Sequence, residues 1–428
     1  MTALPAVTGA APAVAAAPGT ARQVCLAPGG AQPDQASQPV AISADGHYAL
    51  VDSLADNLLP QGNNGNGGVF VCDLRDGRLR RADLGPAGVQ PDGYSYGGGI
   101  SADGRYVVFT SAAGSLVPGT TKGVDNIYLR DLRTGRTELV SVGGRRLPQV
   151  GDSGQPGISP DGRYVVFQSN RADLVPGDTN SAGDIFVLDR RTGRTVRASV
   201  GGDGGQATAS SVSPAISADG SRVVFISKDT DLAAAAPASP GRRLAPQRAR
   251  FYPLFLHDLR TGRTAVASVE PDGSTAAVTA GVLSADGRYA AFTSLDDDFL
   301  APSQVMVRDL DRGTTTVVST APDGTQGDQS SYLIGISADD RWVYFSSNAD
   351  NLLPGGAAQD FGYYRRDLRT GRTERLLRIP GAQNTLAQNL GAAVDARGTT
   401  LLFGADGSGL LPGDTDTTPQ AFTLRPGS

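Results

Sequence analysis

GISADGRYVVF, residues 99–109, is one of seven copies of a single phrase, and its reading decides the fold. The other copies are AISADGHYALV (41–51), GISPDGRYVVF (157–167), AISADGSRVVF (215–225), VLSADGRYAAF (282–292), GISADDRWVYF (335–345) and AVDARGTTLLF (393–403). Their anchors are Ile42, Ile100, Ile158, Ile216, Leu283, Ile336 and Val394, spaced by 58, 58, 58, 67, 53 and 58 residues. Self-similarity at such a period marks a repeat architecture. A second phrase follows each of the first six anchors, as in VFVCDLRDGRL (69–79), IYLRDLRTGRTELVSV (127–142) and IFVLDRRTGRTVRASV (185–200); the seventh repeat stops at QAFTLRPGS (420–428).

Each repeat reads as four antiparallel strands. Strand A is short, carries small residues such as Gly98, Gly99 and Gly157, and ends at the anchor. The Asp-Gly dipeptide reverses the chain. Strand B is an unbroken apolar run such as Tyr164-Val165-Val166-Phe167, which needs cover on both faces. Strand C is the IYLRD run, and an RTGR turn leads to strand D. The chain is therefore all-β: a seven-bladed β-propeller of four-stranded antiparallel blades. The last repeat lacks strand D. GTARQVCLAPGG (19–30) aligns with GRTELVSVGGRR (135–146), so the N-terminal strand is expected to complete the last blade and remove two open sheet edges.

Composition bounds the function. The 38 Lys and Arg against 43 Asp and Glu leave a net charge of -5, which argues against a nucleic-acid partner held through phosphates. No apolar run is long enough to cross a membrane. Residues 1–19 are uncharged and small, with A-x-A-like sites around Ala15 to Ala17, and resemble the end of a secretory signal without its basic start. The expected organisation is a leader (1–19) and a single propeller (20–428), exported to the envelope or the exterior, and monomeric.

The S-[AP]-D-G-R-Y-V-x-F phrase, with L-V-P-G-D-T-N (174–180) and D-I-F-V (184–187), resembles the WD-repeat-like units of TolB-like propellers, exported bacterial members included. The resemblance covers nearly all the chain after residue 20. It implies a propeller that serves mainly as an interaction module. TolB itself has six blades and an extra domain, so its partners do not carry over.

Propeller strand order puts A–B and C–D turns on one face and B–C and D–A connections on the other. The first pair is tight here; the second is long, as in residues 111–125 and 200–213. Ligand binding is expected on the long-loop face. Tyr94 and Tyr96 lie in the D–A loop before blade 2, and Arg145 and Arg146 in the one before blade 3. Arg242, Arg243, Arg248 and Arg250 lie in the extended B–C arm of blade 4 (233–253). Arginines in such an arm suit an anionic glycan or an acidic protein surface; the competing reading is a solvated loop beside Asp296, Asp297 and Asp298. Arg105 and Arg163, at tight turns on the opposite face, offer a charge-matched control. Asp73, Asp131, Asp189, Asp258, Asp309 and Asp367, one per blade, read as turn-organising carboxylates.

No catalytic residue is assigned. Gly93-Tyr94-Ser95-Tyr96-Gly97 matches G-x-S-x-G, but a strand follows it where a nucleophile elbow needs a helix. The only histidines, His47 and His257, are not placed to activate Ser95. No cofactor or transition metal is expected, since such metals want several His or Cys ligands. Asp178, Thr179, Asn180 and Asp184, echoed by Asp414 and Asp416, leave calcium open against an Asx-turn loop. Cys25 and Cys72, read toward opposite ends of neighbouring blades, are expected to be separate thiols. The resulting expectation is a non-enzymatic exported scaffold that binds a protein or glycan; the alternative is a polysaccharide lyase or hydrolase using the same funnel.

Overall fold

The structure, a computed structural model, describes residues 19–143, 151–229, 232–233, 252–295, 301–354, 361–379, 391–406, 410–411 and 417–426. Seven four-stranded antiparallel sheets form the blades. In blade 1, strands A to D are Ser37–Ile42, Tyr48–Ser53, Gly68–Asp73 and Leu79–Arg81. In blade 2 they are Ser95–Ile100, Tyr106–Ser111, Asn126–Asp131 and Arg136–Leu139. The next four blades repeat this order with consecutive strands.

Blade 7 is built from both ends of the chain. Ala392–Val394, Leu401–Ala405 and Gln420–Leu424 supply strands A to C, and Ala21–Gln23 supplies strand D. Ala21 stands opposite Leu424 and Gln23 opposite Phe422. The ladder extends through Gly19 N–H to Arg425 O and Val24 N–H to Ala421 O, both 2.9 Å.

The core lies between blades, which is why strand B is apolar on both sides. Leu50 and Val71 of blade 1 pack with Val107, Phe109 and Tyr128 of blade 2. Val108 and Leu129 turn the other way, onto Val165 and Phe167 of blade 3. Directly paired residues of strands B and C stack their rings, as Phe109 on Tyr128 and Phe167 on Phe186.

On the tight-turn face the repeated phrase binds each blade to the next. Ser101 Oγ donates to Asp103 and accepts from Tyr106 N–H. Gly104 sits at φ +69, and a Cβ there would fall 2.1 Å from the Tyr48 ring of the preceding blade. Gly162 meets Tyr106 and Gly220 meets Tyr164 in the same way, so this glycine is required by both conformation and space. Asp131 accepts from the N–H groups of Arg133 and Thr134, which makes it the turn organiser the repeat implied. It also holds Arg105 at 2.6 Å, and Asp189 holds Arg163 at 2.7 Å, each guanidinium resting 4.5 Å from the ring of the next tyrosine. These arginines are structural clamps and do not serve as a neutral charge control. In blade 1 His47 takes the turn position 3.2 Å from Asp45, and Arg75 supplies the guanidinium to Asp73.

The two cysteines overturn the expectation of free thiols: Cys25 and Cys72 form a disulfide, with Cα atoms 5.5 Å apart. Twist is the reason. At four junctions the exit of strand D meets the outer strands of the next blade. Leu84 O accepts from Arg130 and Thr137, Val200 O from Thr264, Val269 O from Thr315, and Thr320 O from Arg366. Cys72 pairs with Ala49 as Arg130 pairs with Val107 and His257 with Val223, so all three hold one strand-C position. At the junction of blades 7 and 1, a covalent bond replaces the hydrogen bonds that Arg130 and its counterparts make elsewhere.

Candidate functional site

The long-loop face of blades 1 and 2 stands apart. Leu54, Val89, Tyr94 and Tyr96 are the exposed large hydrophobic residues among those described, each between 50% and 60% accessible. Leu54 follows strand B of blade 1. Val89, Tyr94 and Tyr96 belong to the connection into blade 2 and the start of its strand A. This connection is fixed on both sides. Gln90 Nε2 donates to Gly62 O at 3.1 Å, and Tyr94 O accepts from Ala112 N–H and Ser111 Oγ. The tyrosines are thus displayed on a braced segment.

Ser95 lies between them with its hydroxyl turned inward. Its Oγ donates to Ser111 Oγ at 3.0 Å, and the residue is buried at the head of strand A. Strand, not helix, follows, so the G-x-S-x-G match is a rung of the sheet. His257 is also buried, its Nδ1 2.9 Å from Thr264 Oγ1, and burial pulls its pKa down. Behind Tyr96, Gly97 N–H donates to both oxygens of Asp52 at 2.8 and 3.1 Å. Burial and the neighbouring Asp83 push the Asp52 carboxyl up to about 7, against the pull of the Gly97 bond.

The acidic loop of blade 3 contains its own cation. Arg197 Nη1 lies 3.6 Å from Asp178 Oδ1 and 3.5 Å from Asp184 Oδ2, with both carboxylates buried and the guanidinium partly so. Asn180 turns away, donating to Ala207 O and accepting from Ala182 N–H. Burial raises Asp184 to about 6, with Ser199 and Arg197 opposing and Asp178 reinforcing. Arg81 and Asp83 form a related pair in blade 1 at 2.8 Å. Among the described residues no group of three or more His, Cys, Asp or Glu is arranged to hold a metal ion.

Of the sequence-derived candidates, Tyr94 and Tyr96 share one surface. Arg145, Arg146, Arg242, Arg243, Arg248 and Arg250 lie outside the described residues, as do Asp296, Asp297, Asp298, Asp414 and Asp416. Leu54, Val89 and the amide-rich B–C connection of blade 1 were not singled out from sequence. The signal for the last was present, since GNNGNGG (62–68) has no counterpart in other blades.

No family model and no curated protein sequence matches the chain. Solved structures do. An oligogalacturonate lyase in complex with manganese aligns with a TM-score of 0.55 at 11% identity, over 93% of this chain and 92% of that one. The oligogalacturonate lyase of Vibrio parahaemolyticus aligns at 0.54 and 13%, over 92% and 91%. TolB from Acinetobacter baumannii aligns at 0.41 and 15%, over 81% and 64%. All are β-propellers, and the likeness is one of fold.

Proposed function

We propose that this chain is a non-enzymatic binding module that takes a glycan or protein ligand on its long-loop face, with the contact centred on blades 1 and 2. One observation carries the reading: Leu54, Val89, Tyr94 and Tyr96 are exposed at the long-loop ends of blades 1 and 2, while charges on the opposite face are engaged in Arg–Asp clamps. Exposed tyrosines on a rigid support are suited to binding, giving large contact area at low entropic cost. The disulfide supports export, because such bonds persist in oxidising compartments. Arg145, Arg146 and the arginines of residues 242–250 serve an anionic ligand; replacing Arg242, Arg243, Arg248 and Arg250 with serine then weakens its binding by more than about tenfold.

The test is a glycan array and a secretome pull-down with the wild type and the Tyr94→Ala/Tyr96→Ala variant. Loss of the captured ligand at unchanged melting temperature supports the reading; undiminished capture by the variant refutes it. The second reading, a polysaccharide-active enzyme, draws on the likeness to oligogalacturonate lyases over nine-tenths of the chain. Protein-dependent formation of an unsaturated uronate from oligogalacturonate with manganese, followed by ultraviolet absorbance, would favour it.

A further inference from the structure

The B–C connection of blade 1 differs from its neighbours in chemistry. Its end and the first residue of strand C read QGNNGNGG (61–68), where blades 2 and 3 have GTTKGVDN (119–126) and GDTNSAGD (177–184). The neighbours carry Lys122, Asp125, Asp178 and Asp184; this segment is uncharged and amide-rich. It walls a solvent-open cleft of about 830 Å³ whose lining includes Gln35, Asp56, Pro60, Gln61 and Asn64. That volume is in the usual range of small-molecule sites, about 300–1,000 Å³.

The polar groups here fall into two sets. One set builds the cleft. Asp56 Oδ1 accepts from Asn63 N–H at 2.7 Å, and Asp34 Oδ1 from Asp56 N–H at 2.9 Å. Asn57 accepts from Asp34 N–H and donates to Gln32 O. Asn63 Nδ2 donates to Leu54 O at 2.7 Å and to Ala55 O at 3.1 Å. The other set faces water: Gln35, Gln61 and Asn64 are exposed, and their side-chain amides make no hydrogen bond to a described residue. Asn64 is held at φ +59, in the left-handed region that disfavours most side chains.

We infer that this cleft binds an uncharged saccharide. A primary amide offers a donor pair and an acceptor, and three of them on a braced rim match hydroxyls that both donate and accept. A rim without a cation gives no preference for a carboxylate-bearing sugar, and Pro60 supplies apolar surface for a ring face. The inference rests on the reading of the long-loop face as a binding surface and names the ligand class for one part of it.

The test titrates the full chain with neutral hexasaccharides (cello-, malto-, xylo- and manno-) and with oligogalacturonate, by calorimetry. A neutral member is expected to bind saturably. The Gln61→Ala/Asn64→Gly variant is expected to lose about tenfold in affinity, the worth of one or two neutral hydrogen bonds. Its melting temperature should not fall, because glycine accepts the backbone of position 64. Failure of every neutral hexasaccharide to bind, weakened oligogalacturonate binding in the double variant, or indifference of neutral binding to that variant overturns the inference. If a ligand is then lost only in the Tyr94→Ala/Tyr96→Ala variant, the binding surface stands without the cleft; if neither variant changes any binding, both readings fall.

Discussion

Asp340, in the A–B turn of blade 6, buries its Oδ1 without a hydrogen-bond partner and feels the charge of Asp286 in the matching turn of blade 5. It occupies the position where Gly46, Gly104, Gly162, Gly220, Gly287 and Gly398 stand in the other blades, and it adopts the same left-handed backbone, at φ 56. Burial foremost, and then the charge of Asp286, push its carboxyl up to about 6.

Replacing Asp340 with glycine should therefore stabilise the protein, and more at pH 7.5 than at pH 5. The native state holds a proton on Asp340 that the unfolded chain releases near the ordinary carboxylate value. That contribution is present at low pH and lost as pH rises through about 6. Relief of the left-handed backbone adds about 1 kcal/mol at any pH. Thermal melts at the two pH values check this; a gap that narrows as pH rises would contradict it.

The Asp178–Arg197–Asp184 cluster should make calcium dispensable. Chelator is expected to leave the melting temperature unchanged. Arg197→Gln should cost about 3–5 kcal/mol, because it strands two buried carboxylates. Chelator-dependent melting that added calcium restores would reassign the loop as a cation site.

Reduction of Cys25–Cys72 should destabilise without unfolding the ring, since the ladder between Ala21–Gln23 and Gln420–Leu424 persists. A separation of 47 residues corresponds to about 4 kcal/mol in the chain-entropy view. Denaturant titrations with and without reductant measure it. A Cys25→Ser/Cys72→Ser variant should match the reduced wild type and ignore reductant.

Deleting residues 1–18 should leave melting unchanged, whereas deleting 1–30 should lower it further than the double cysteine variant does. The longer truncation removes both the disulfide and the last strand of blade 7, opening edges on either side of the junction. Equal melting of the full chain and the longer truncation would refute closure by the N-terminal strand.

The repeat made most of the fold legible, because each anchor phrase encodes a whole contact. Ile100, the Asp103-Gly104 turn and the run from Val107 to Phe109 specify a strand pair buried on both faces, and only neighbouring blades provide that cover. The phrase also encodes the clamp between blade strands: Arg105 holds Asp131, and so is not a spare charge. Cys72 stood at the position of Arg130 and His257, but what that position touches depends on how far the blades twist.

What the sequence by itself determined is the blade count, the strand order, the closing role of Ala21–Gln23 and the division into a tight-turn and a long-loop face. These follow from local patterns of apolar residues, turns and spacing, repeated often enough to align. Tertiary structure alone decided the rest. Twist brought Cys25 to Cys72 across two blades, folding put Arg197 between Asp178 and Asp184, and packing left Leu54, Val89, Tyr94 and Tyr96 exposed where the other large apolar residues described are covered. Such pairings join residues with no common pattern, brought together by the angle between neighbouring sheets.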